Sequence, residues 1–292
     1  MAGDSGNGCW ASVVDPPVSG RPTKPRDHGL TMVIDKGLGL KEVQDLLTTA
    51  AEYMDFIKLA FGTSVLYPDW LLREKIAMIR AHGVEVYPGG TLLEVAVLQG
   101  RYREFLERAA DLGFSFLEVS EGTVNMKPNL RAELIRLACR EGFGVVAEVG
   151  KKDRSAKIIP SRVRDQVWAD LDAGAYKVII EGRDSGRGVG IYNMDGSVRE
   201  ELFNGILEEV GDPCCVIWEA PMVSQQQKLL LALGPGVNLG NVQTRDVLSL
   251  EAARVGLRGE TLKASIAAHP DILSEIEGRP NIEPVRDSAQ VR

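Results

Sequence analysis

The chain has 292 residues, of which 44% are hydrophobic and 26% are charged, and its formal net charge is −7. This size suits one large α/β domain or two small ones, and the acidic charge argues against nonspecific nucleic-acid binding, which needs a basic surface. No apolar run approaches the roughly 20 residues of a membrane span, so neither a nucleic acid nor a membrane is expected as a partner.

The first predicted element follows a segment without periodicity. Residues 1–27 are rich in Gly, Pro, Ser and charged residues and predict a mobile N-terminal extension. Short apolar runs rich in Val, Ile and Phe then recur along the chain, as expected for parallel strands buried on both faces. These strand candidates cover residues 30–36, 54–60, 84–88, 114–120, 143–149, 175–181, 214–219 and 236–240.

Helical patterns lie between these strands, and several of them end in glycine. Clear examples cover residues 69–82, 99–112, 130–141 and 161–173. The glycines that follow suit the left-handed cap of a helix; they are Gly83, Gly113, Gly142 and Gly174. Eight strands alternating with helices predict a single-domain (βα)8 TIM barrel over residues 28–262, with a C-terminal helix or tail at 263–292. An open doubly wound sheet is the alternative, but no GxGxxG sequence follows the first strand.

Four of the predicted strands share one ending, in which apolar residues are followed by glutamate. The glutamates are Glu118, Glu148, Glu181 and Glu219. In a (βα)8 barrel the carboxyl ends of the strands form one rim, where such barrels carry out their chemistry. Hard divalent cations prefer carboxylate oxygens, so we interpret Glu148, Glu181 and Glu219 as candidate metal ligands.

Lysines and arginines map to the same rim, and a locally basic pocket in an acidic protein indicates a small anionic ligand. Lys58 lies within an apolar strand, where it is either a substrate-facing cation or half of a structural ion pair. Lys36 ends the first strand and is either a rim cation or an ordinary loop lysine. Arg183 and Arg187 lie in a glycine-rich loop and suit a bidentate grip on phosphate or carboxylate, although a surface loop without function has the same composition.

Uncharged groups complete the predicted rim. The turn at residues 87–91 exposes backbone N–H groups that can bind an anion, or it is simply a turn. Gln225 opens the helix after the seventh strand, where N-terminal N–H groups favour anions. Asn238 and Asn241 come at the end of the predicted eighth strand, and in such barrels the loops after strands seven and eight often bind phosphate.

Two adjacent lysines, Lys151 and Lys152, follow the fifth predicted strand. Strand alternation places Glu148 and Lys152 on one face of the strand and Lys151 on the other. A lysine beside a metal can serve as a general acid or base, whereas two lysines on a solvated loop need no function.

The cysteines and histidines bear on compartment and mechanism. The cysteines show no CxxC spacing, and Cys214 and Cys215 fall inside a predicted buried strand, so we interpret them as reduced thiols of a cytoplasmic protein. The sequence contains 3 histidines, which argues against a histidine base or a histidine-rich metal site.

Motifs along residues 28–262 resemble the phosphosulfolactate synthase family in order and in spacing. The matching stretches are LTMVIDKGL at 30–38, DFIKLAFGTS at 55–64, VEVYPGGTLLE at 84–94, GFSFLEVSEGT at 113–123, VAEVGKK at 146–152, DAGAYKVIIEGRDSGRGVGIY at 172–192, WEAP at 218–221, SQQ at 224–226, VNLGNV at 237–242 and SLEAARVGLRGET at 249–261.

The resemblance implies a Mg²⁺-dependent (βα)8 barrel of the carbon–sulfur lyase class. Such an enzyme adds sulfite to phosphoenolpyruvate and forms (2R)-phospho-3-sulfolactate, an early intermediate toward coenzyme M, through a metal-stabilised enediolate. The VGKK motif assigns the general acid to Lys152, with Lys151 second. Arg183, Arg187 and Lys58 would then bind phosphate, carboxylate or sulfite. The family assembles as a homo-oligomer, a trimer.

Two other interpretations remain open from the sequence. The first is another Mg²⁺-dependent barrel enzyme that acts on a small phosphorylated enol acid. The second is a non-catalytic, stress-associated homologue on the same scaffold. The rim lysine Lys152, the rim glutamates and the loop arginines are all present, which argues against the second.

Overall fold

Strands and helices alternate along the chain in the computed structural model, which describes residue 10, residues 12–150 and residues 158–268. The strands are β1 (Thr31–Asp35), β2 (Phe56–Leu59), β3 (Glu85–Pro88), β4 (Phe116–Ser120), β5 (Gly144–Val149), β6 (Lys177–Ile180), β7 (Val216–Glu219) and β8 (Leu239–Gln243). The helices are α1 (Leu40–Ala50), α2 (Asp69–Ala81), α3 (Gly90–Leu98), α4 (Tyr102–Leu112), α5 (Pro128–Arg140), α6 (Pro160–Asp172), α7 (Glu200–Val210), α8 (Val223–Leu233), α9 (Val247–Arg254) and α10 (Gly259–Ala268).

The strands form one parallel sheet that is nearly closed into a barrel. Their order is β3-β2-β1-β8-β7-β6-β5-β4, so the first strand lies between the second and the last. The two outermost strands in that order meet where the N–H of Ser115 donates to the carbonyl of Val86 at 3.3 Å. The predicted TIM-barrel fold is confirmed, and the doubly wound alternative is wrong. None of the described helices is long and apolar enough to cross a lipid bilayer.

Two apolar layers explain why these short sequences become strands. A large core fills the space between the strands and the surrounding helices. A smaller cluster fills the barrel interior; its buried members are Leu30, Met32, Phe56, Tyr87, Val146, Ile179 and Ile217. The rings of Phe56 and Phe116 meet edge to face there, with centroids 5.0 Å apart. Because apolar side chains pack the barrel interior, the polar interior groups collect at the carboxyl ends of the strands.

The predicted helix ends agree closely with the structure, whereas a predicted turn and a predicted strand start differ from it. Gly83, Gly113, Gly142 and Gly174 all adopt positive φ, as their predicted role in ending helices requires. The turn predicted at residues 87–91 instead opens α3, because Gly90 is its first residue. Cys214 is exposed in a 3-10 turn that precedes β7, so its predicted place inside a buried strand is wrong.

The eighth strand begins later than predicted, and this moves Asn238 to the opposite end of the barrel. The side-chain amide of Asn238 donates to the carbonyls of Cys214 and Val216 at 3.0 and 2.9 Å. Its oxygen accepts from the N–H of Leu30 at 3.0 Å. These partners precede or begin their strands, so the predicted place of Asn238 on the functional rim is wrong. Gly236 and Gly240 lie on either side of residues 237–239, and both suit a strand boundary, which makes the start of the strand ambiguous from the sequence.

Much of the predicted N-terminal extension packs against the amino end of the barrel. The N–H of Val18 donates to the carbonyl of Val255 at 3.2 Å. Arg26 pairs with Asp55 at 2.8 Å, and Asp55 also accepts from the N–H of Thr31 at 2.8 Å. Residues 17–29 therefore form a strap, the N-terminal strap, that is fixed to both β1 and the last helices. Residues 1–9, 11 and 269–292 lie outside the described residues.

We expect Arg26→Met to destabilise the fold by about 3–5 kcal/mol, because it leaves the buried carboxylate of Asp55 without its cation. Urea denaturation measures the free energy of unfolding. Arg140→Met is the matched control: Arg140 and Glu133 form a pair whose side chains are 58% and 57% exposed, so its loss should cost at most about 1 kcal/mol. If Arg26→Met lowers the free energy of unfolding by no more than the control does, at most about 1 kcal/mol, the strap does not stabilise the barrel through this pair.

Candidate active site

A cavity of about 330 Å³ opens at the carboxyl ends of the strands. Its floor is polar, whereas the rest of the barrel interior is apolar. The lining comes from strand ends and from the loops that follow them: Ile34, Lys58, Ala60, Phe61, Gly89, Gly90, Thr91, Glu118, Glu148, Glu181, Arg183, Asp184, Glu219 and Asn241. The cavity lies where a barrel of this type binds its ligand.

Lys58 is the centre of the cavity floor. Its Nζ lies 2.8 Å from Oε2 of Glu118. The same atom lies 3.3 Å from Glu148 Oε2 and 3.4 Å from Glu219 Oε1. One lysine on β2 therefore gathers carboxylates from β4, β5 and β7. The ion pair predicted as one interpretation of Lys58 is present, and the residue also lines the cavity, while its contact with a substrate stays a prediction.

Burial and charge act in opposite directions on this cluster. Burial alone would lower the pKa of Lys58, but the carboxylates of Glu118, Glu148 and Glu219 raise it well above its ordinary value. Burial raises the pKa of Glu219, the ammonium of Lys58 lowers it, and the neighbouring Glu148 raises it further. Lys58 is therefore charged at neutral pH, while the carboxylates carry the cost of being buried close together.

Three of the carboxylates have the arrangement of a metal site. Glu148, Glu181 and Glu219 are buried, and each offers an oxygen within 4.8 Å of the others. Backbone groups orient two of them: Arg183 N–H donates to Glu181 Oε1 at 2.6 Å, and Gly182 N–H donates to Glu219 Oε2 at 2.9 Å. An all-oxygen donor set fits Mg²⁺, and a divalent cation would relieve the repulsion between the carboxylates.

Backbone strain concentrates around the same cavity. Phe61, Arg183 and Asn241 have φ of 58°, 58° and 53°, and they are the non-glycine residues with positive φ within the described ranges. All three line the cavity. Left-handed backbone is unfavourable for such residues, and strain of this kind clusters at functional sites.

The predicted cations lie at different depths. Arg183 lines the cavity, whereas Arg187 is exposed farther along the same loop. Lys36 is exposed near the mouth, and its Nζ lies 3.3 Å from Asp184 Oδ2. Lys151 and Lys152 lie outside the described residues, immediately beyond Gly150.

Gln225 supports the site by holding one of its loops in place. It is buried, and its Nε2 donates to the carbonyls of Gly186 and Gly196 at 2.7 and 2.9 Å. It therefore holds the loop that follows β6 and carries Arg183, and it does not line the cavity. Its role there is positioning, in place of the direct substrate contact predicted from the sequence.

Glu118 is not among the predicted site residues, although its segment has the same apolar-then-glutamate pattern as the others. It bonds Lys58, and its Oε1 accepts from Gly90 N–H at 2.8 Å, which joins β4 to the start of α3. A side chain at Gly90 would overlap Ser120 and Glu118, so this position requires glycine. The sequence pattern could have identified Glu118, but only the structure shows that it forms an ion pair with Lys58.

Comparison with known proteins identifies the family. The family model of (2R)-phospho-3-sulfolactate synthase (ComA) matches residues 19–260. A phosphosulfolactate synthase of Methanothermobacter thermautotrophicus is 46% identical over 250 residues, which cover 85% of this chain and 95% of the relative. A phosphosulfolactate synthase of Bacillus subtilis is 37% identical over 246 residues, with coverage of 82% and 95%.

More distant similarities extend to a plant protein and to a solved structure. Protein HEAT-STRESS-ASSOCIATED 32 of Arabidopsis thaliana is 21% identical over 265 residues, covering 80% of this chain and 88% of the relative. The carboxyl transferase domain of Rhizobium etli pyruvate carboxylase, solved with 3-hydroxypyruvate, matches with a TM-score of 0.53 at 12% identity, covering 81% of this chain and 44% of that one. At that identity the structural likeness concerns the fold alone. The family match and the identities over most of the chain show that this protein belongs to the (2R)-phospho-3-sulfolactate synthase family.

Proposed function

We propose that this protein catalyses the Mg²⁺-dependent addition of sulfite to phosphoenolpyruvate to form (2R)-phospho-3-sulfolactate, as a carbon–sulfur lyase. The observation that carries the proposal is the convergence of Glu148, Glu181 and Glu219 in the rim cavity of a member of this family. A small cavity with buried carboxylates and a nearby arginine suits a metal together with a compact anion.

Glu148, Glu181 and Glu219 would hold the metal, directly or through water. Bound there, Mg²⁺ would supply positive charge beside the substrate carboxylate, where negative charge develops as sulfite attacks. Lys58 keeps Glu148 and Glu219 in place through its ion pairs, and the N–H groups of residues 182 and 183 orient Glu219 and Glu181. The carboxylates are thus positioned before any ligand arrives.

Arginine and lysine side chains would bind and attract the anions. Arg183 lines the cavity, and its planar guanidinium can grip a phosphate or a carboxylate with two N–H donors. Arg187 and Lys36 lie nearer the surface, where they would raise the local concentration of anions. Gln225 keeps the loop of Arg183 in its place.

Lys152 would act as the general acid, with Lys151 second. Sulfite forms a carbon–sulfur bond at C3 of phosphoenolpyruvate, the electrons of the double bond move toward the carboxylate, and Lys152 donates a proton to C2. Both lysines follow Gly150, whose φ of 135° turns the chain at the end of β5, two residues after Glu148. The end of β5 is on the same rim as the candidate metal ligands, so a proton donor there would act beside them.

We also propose that the protein is a cytoplasmic homo-oligomer, a trimer, that supplies a sulfonate pathway of the coenzyme M type. Several large apolar side chains support assembly because they are exposed beside the barrel. Val65, Leu66 and Trp70 are 66%, 80% and 64% exposed and lie between β2 and α2 or at the start of α2. Patches of this kind mark contacts between proteins.

The proposed reaction predicts one new product. Purified protein mixed with phosphoenolpyruvate, sulfite and Mg²⁺ should produce a new phosphate-ester signal in phosphorus NMR, and omission of any of the three should prevent it. A folded protein that binds phosphoenolpyruvate yet forms no product with sulfite would contradict the proposed reaction and favour another phosphorylated enol acid chemistry. A folded protein that binds no phosphorylated acid would favour the non-catalytic alternative.

Glu181→Gln tests the metal site and keeps one backbone contact of the side chain. The amide oxygen can still accept from Arg183 N–H, and Lys58 bonds the other three glutamates. We expect the Mg²⁺ concentration for half-maximal activity to rise by about 10–100-fold or more, and calorimetry to show the same weakening of Mg²⁺ binding. Glu133→Gln, at an exposed position on α5, is the control. An unchanged Mg²⁺ requirement would place the metal elsewhere.

Lys152→Ala should lower kcat by about 10²–10⁴-fold, because the carbanionic intermediate loses its proton donor. The affinity for phosphoenolpyruvate should stay within a few-fold of the wild-type value, since the lysine acts after binding. Lys151→Ala is the adjacent control and should have the smaller effect on kcat. A larger loss from Lys151→Ala would contradict the assignment and exchange the two roles.

A further inference from the structure

The last strand contains an irregularity directly beside the cavity. Along β1 and β8, Thr31 pairs with Leu239, but Val33 pairs with Val242. Two steps along β1 therefore correspond to three steps along β8, so β8 carries one extra residue. The extra residue falls within Gly240–Asn241, and such β-bulges redirect side chains next to active sites.

Asn241 occupies this bulge with left-handed backbone geometry, at φ of 53°. Glycine would adopt that geometry more easily, although asparagine tolerates it better than most residues. A Cβ at the neighbouring Gly240 would crowd the terminal methyl group of Met32 and lie 3.1 Å from Ile217, so a side chain there would require its neighbours to shift. The local structure thus places one side chain, that of Asn241, toward the cavity.

The side chain of Asn241 is buried and lines the cavity, yet its Oδ1 has no hydrogen-bond partner in the described part of the chain. Only 2% of the residue is exposed to solvent. Asn238, three residues earlier on the same segment, makes hydrogen bonds to three backbone groups. A buried amide oxygen without a partner needs an explanation, and a ligand in the cavity supplies one if the amide turns so that its N–H group takes this position.

We infer that the side-chain amide of Asn241 binds the anionic substrate. The identity of that anion rests on the proposed function. A half-turn about the Cβ–Cγ bond lets the amide present its N–H donors instead of its oxygen. Gly240 pairs with Glu219, so Asn241 lies beside a carboxylate of the metal cluster. A lysine or arginine there would be drawn to Glu219, whereas a neutral amide donates to an anion without neutralising a metal ligand.

The test compares three variants with the wild type: Asn241→Gly, Asn241→Asp and the matched control Asn238→Gly. Thermal melting without ligand reports the structural role of each side chain. Calorimetry with phosphoenolpyruvate, inorganic phosphate and sulfite, each added separately with Mg²⁺, reports anion binding. Turnover of phosphoenolpyruvate with sulfite gives KM and kcat.

Asn241→Gly should keep or raise the Tm, because it removes the strained backbone and the unpaired amide, and it should weaken anion binding by about 10-fold, as expected for one lost hydrogen bond. Asn241→Asp should weaken anion binding further, since a carboxylate repels the ligand. Asn238→Gly should lower the Tm and leave anion binding within twofold of the wild-type value.

Three results would overturn the inference. A lower Tm in Asn241→Gly with unchanged binding of every anion would make the amide structural. Tighter Mg²⁺ binding in Asn241→Asp without weaker anion binding would show that the amide faces the metal. A wild-type protein that binds one of the anions but forms no product contradicts the proposed reaction alone, because the role of Asn241 is still measured on that anion. A wild type that binds none of them contradicts both.

Discussion

The candidate site depends on one buried ammonium, that of Lys58. It bonds carboxylates from three different strands, and each of these side chains is buried. Buried carboxylates this close together would be unstable without a cation among them, so Lys58 permits the cluster to exist in the absence of metal. The lysine holds these three carboxylates of the cavity floor together, and Glu181 has other partners, among them the N–H of Arg183.

Further buried interactions extend this arrangement into the body of the barrel. Arg131 on α5 pairs with Asp170 on α6 at 2.6 Å and donates to the carbonyl of Glu148 at 3.0 Å. The hydroxyl of Tyr192 donates to the carbonyl of Glu219 at 2.6 Å. The backbone of two proposed metal ligands is thus held from outside the cavity, as is common for the residues behind metal ligands. Helix packing and site geometry are therefore parts of one network.

The sequence predicted most of the fold because strand ends and helix ends carry local signals. Glycine ends the helices at the expected positions, and apolar runs mark the strands. It predicted the rim glutamates for the same reason. It misplaced Asn238, since glycines before and after the start of β8 suit a strand boundary equally well, and it missed the packing of the N-terminal strap, which depends on distant partners such as Asp55. The role of Lys152 stays a prediction, because that residue lies outside the described part.

The site also has to bring anions close to carboxylates, and apart from Lys58 the cations lie at a different depth from the glutamates. The glutamates and Lys58 form the buried floor, Arg183 lies on a loop above, and Arg187 and Lys36 lie near the surface. Lys58 already pairs with three of the glutamates, and a second strongly basic group on the floor would compete with a metal for the remaining carboxylate oxygens. The bulge at Asn241 offers a neutral group at the depth where a charged one would be neutralised. The strained backbone at Arg183 and Asn241 therefore fits a site in which each polar side chain must be held at a fixed depth in the cavity.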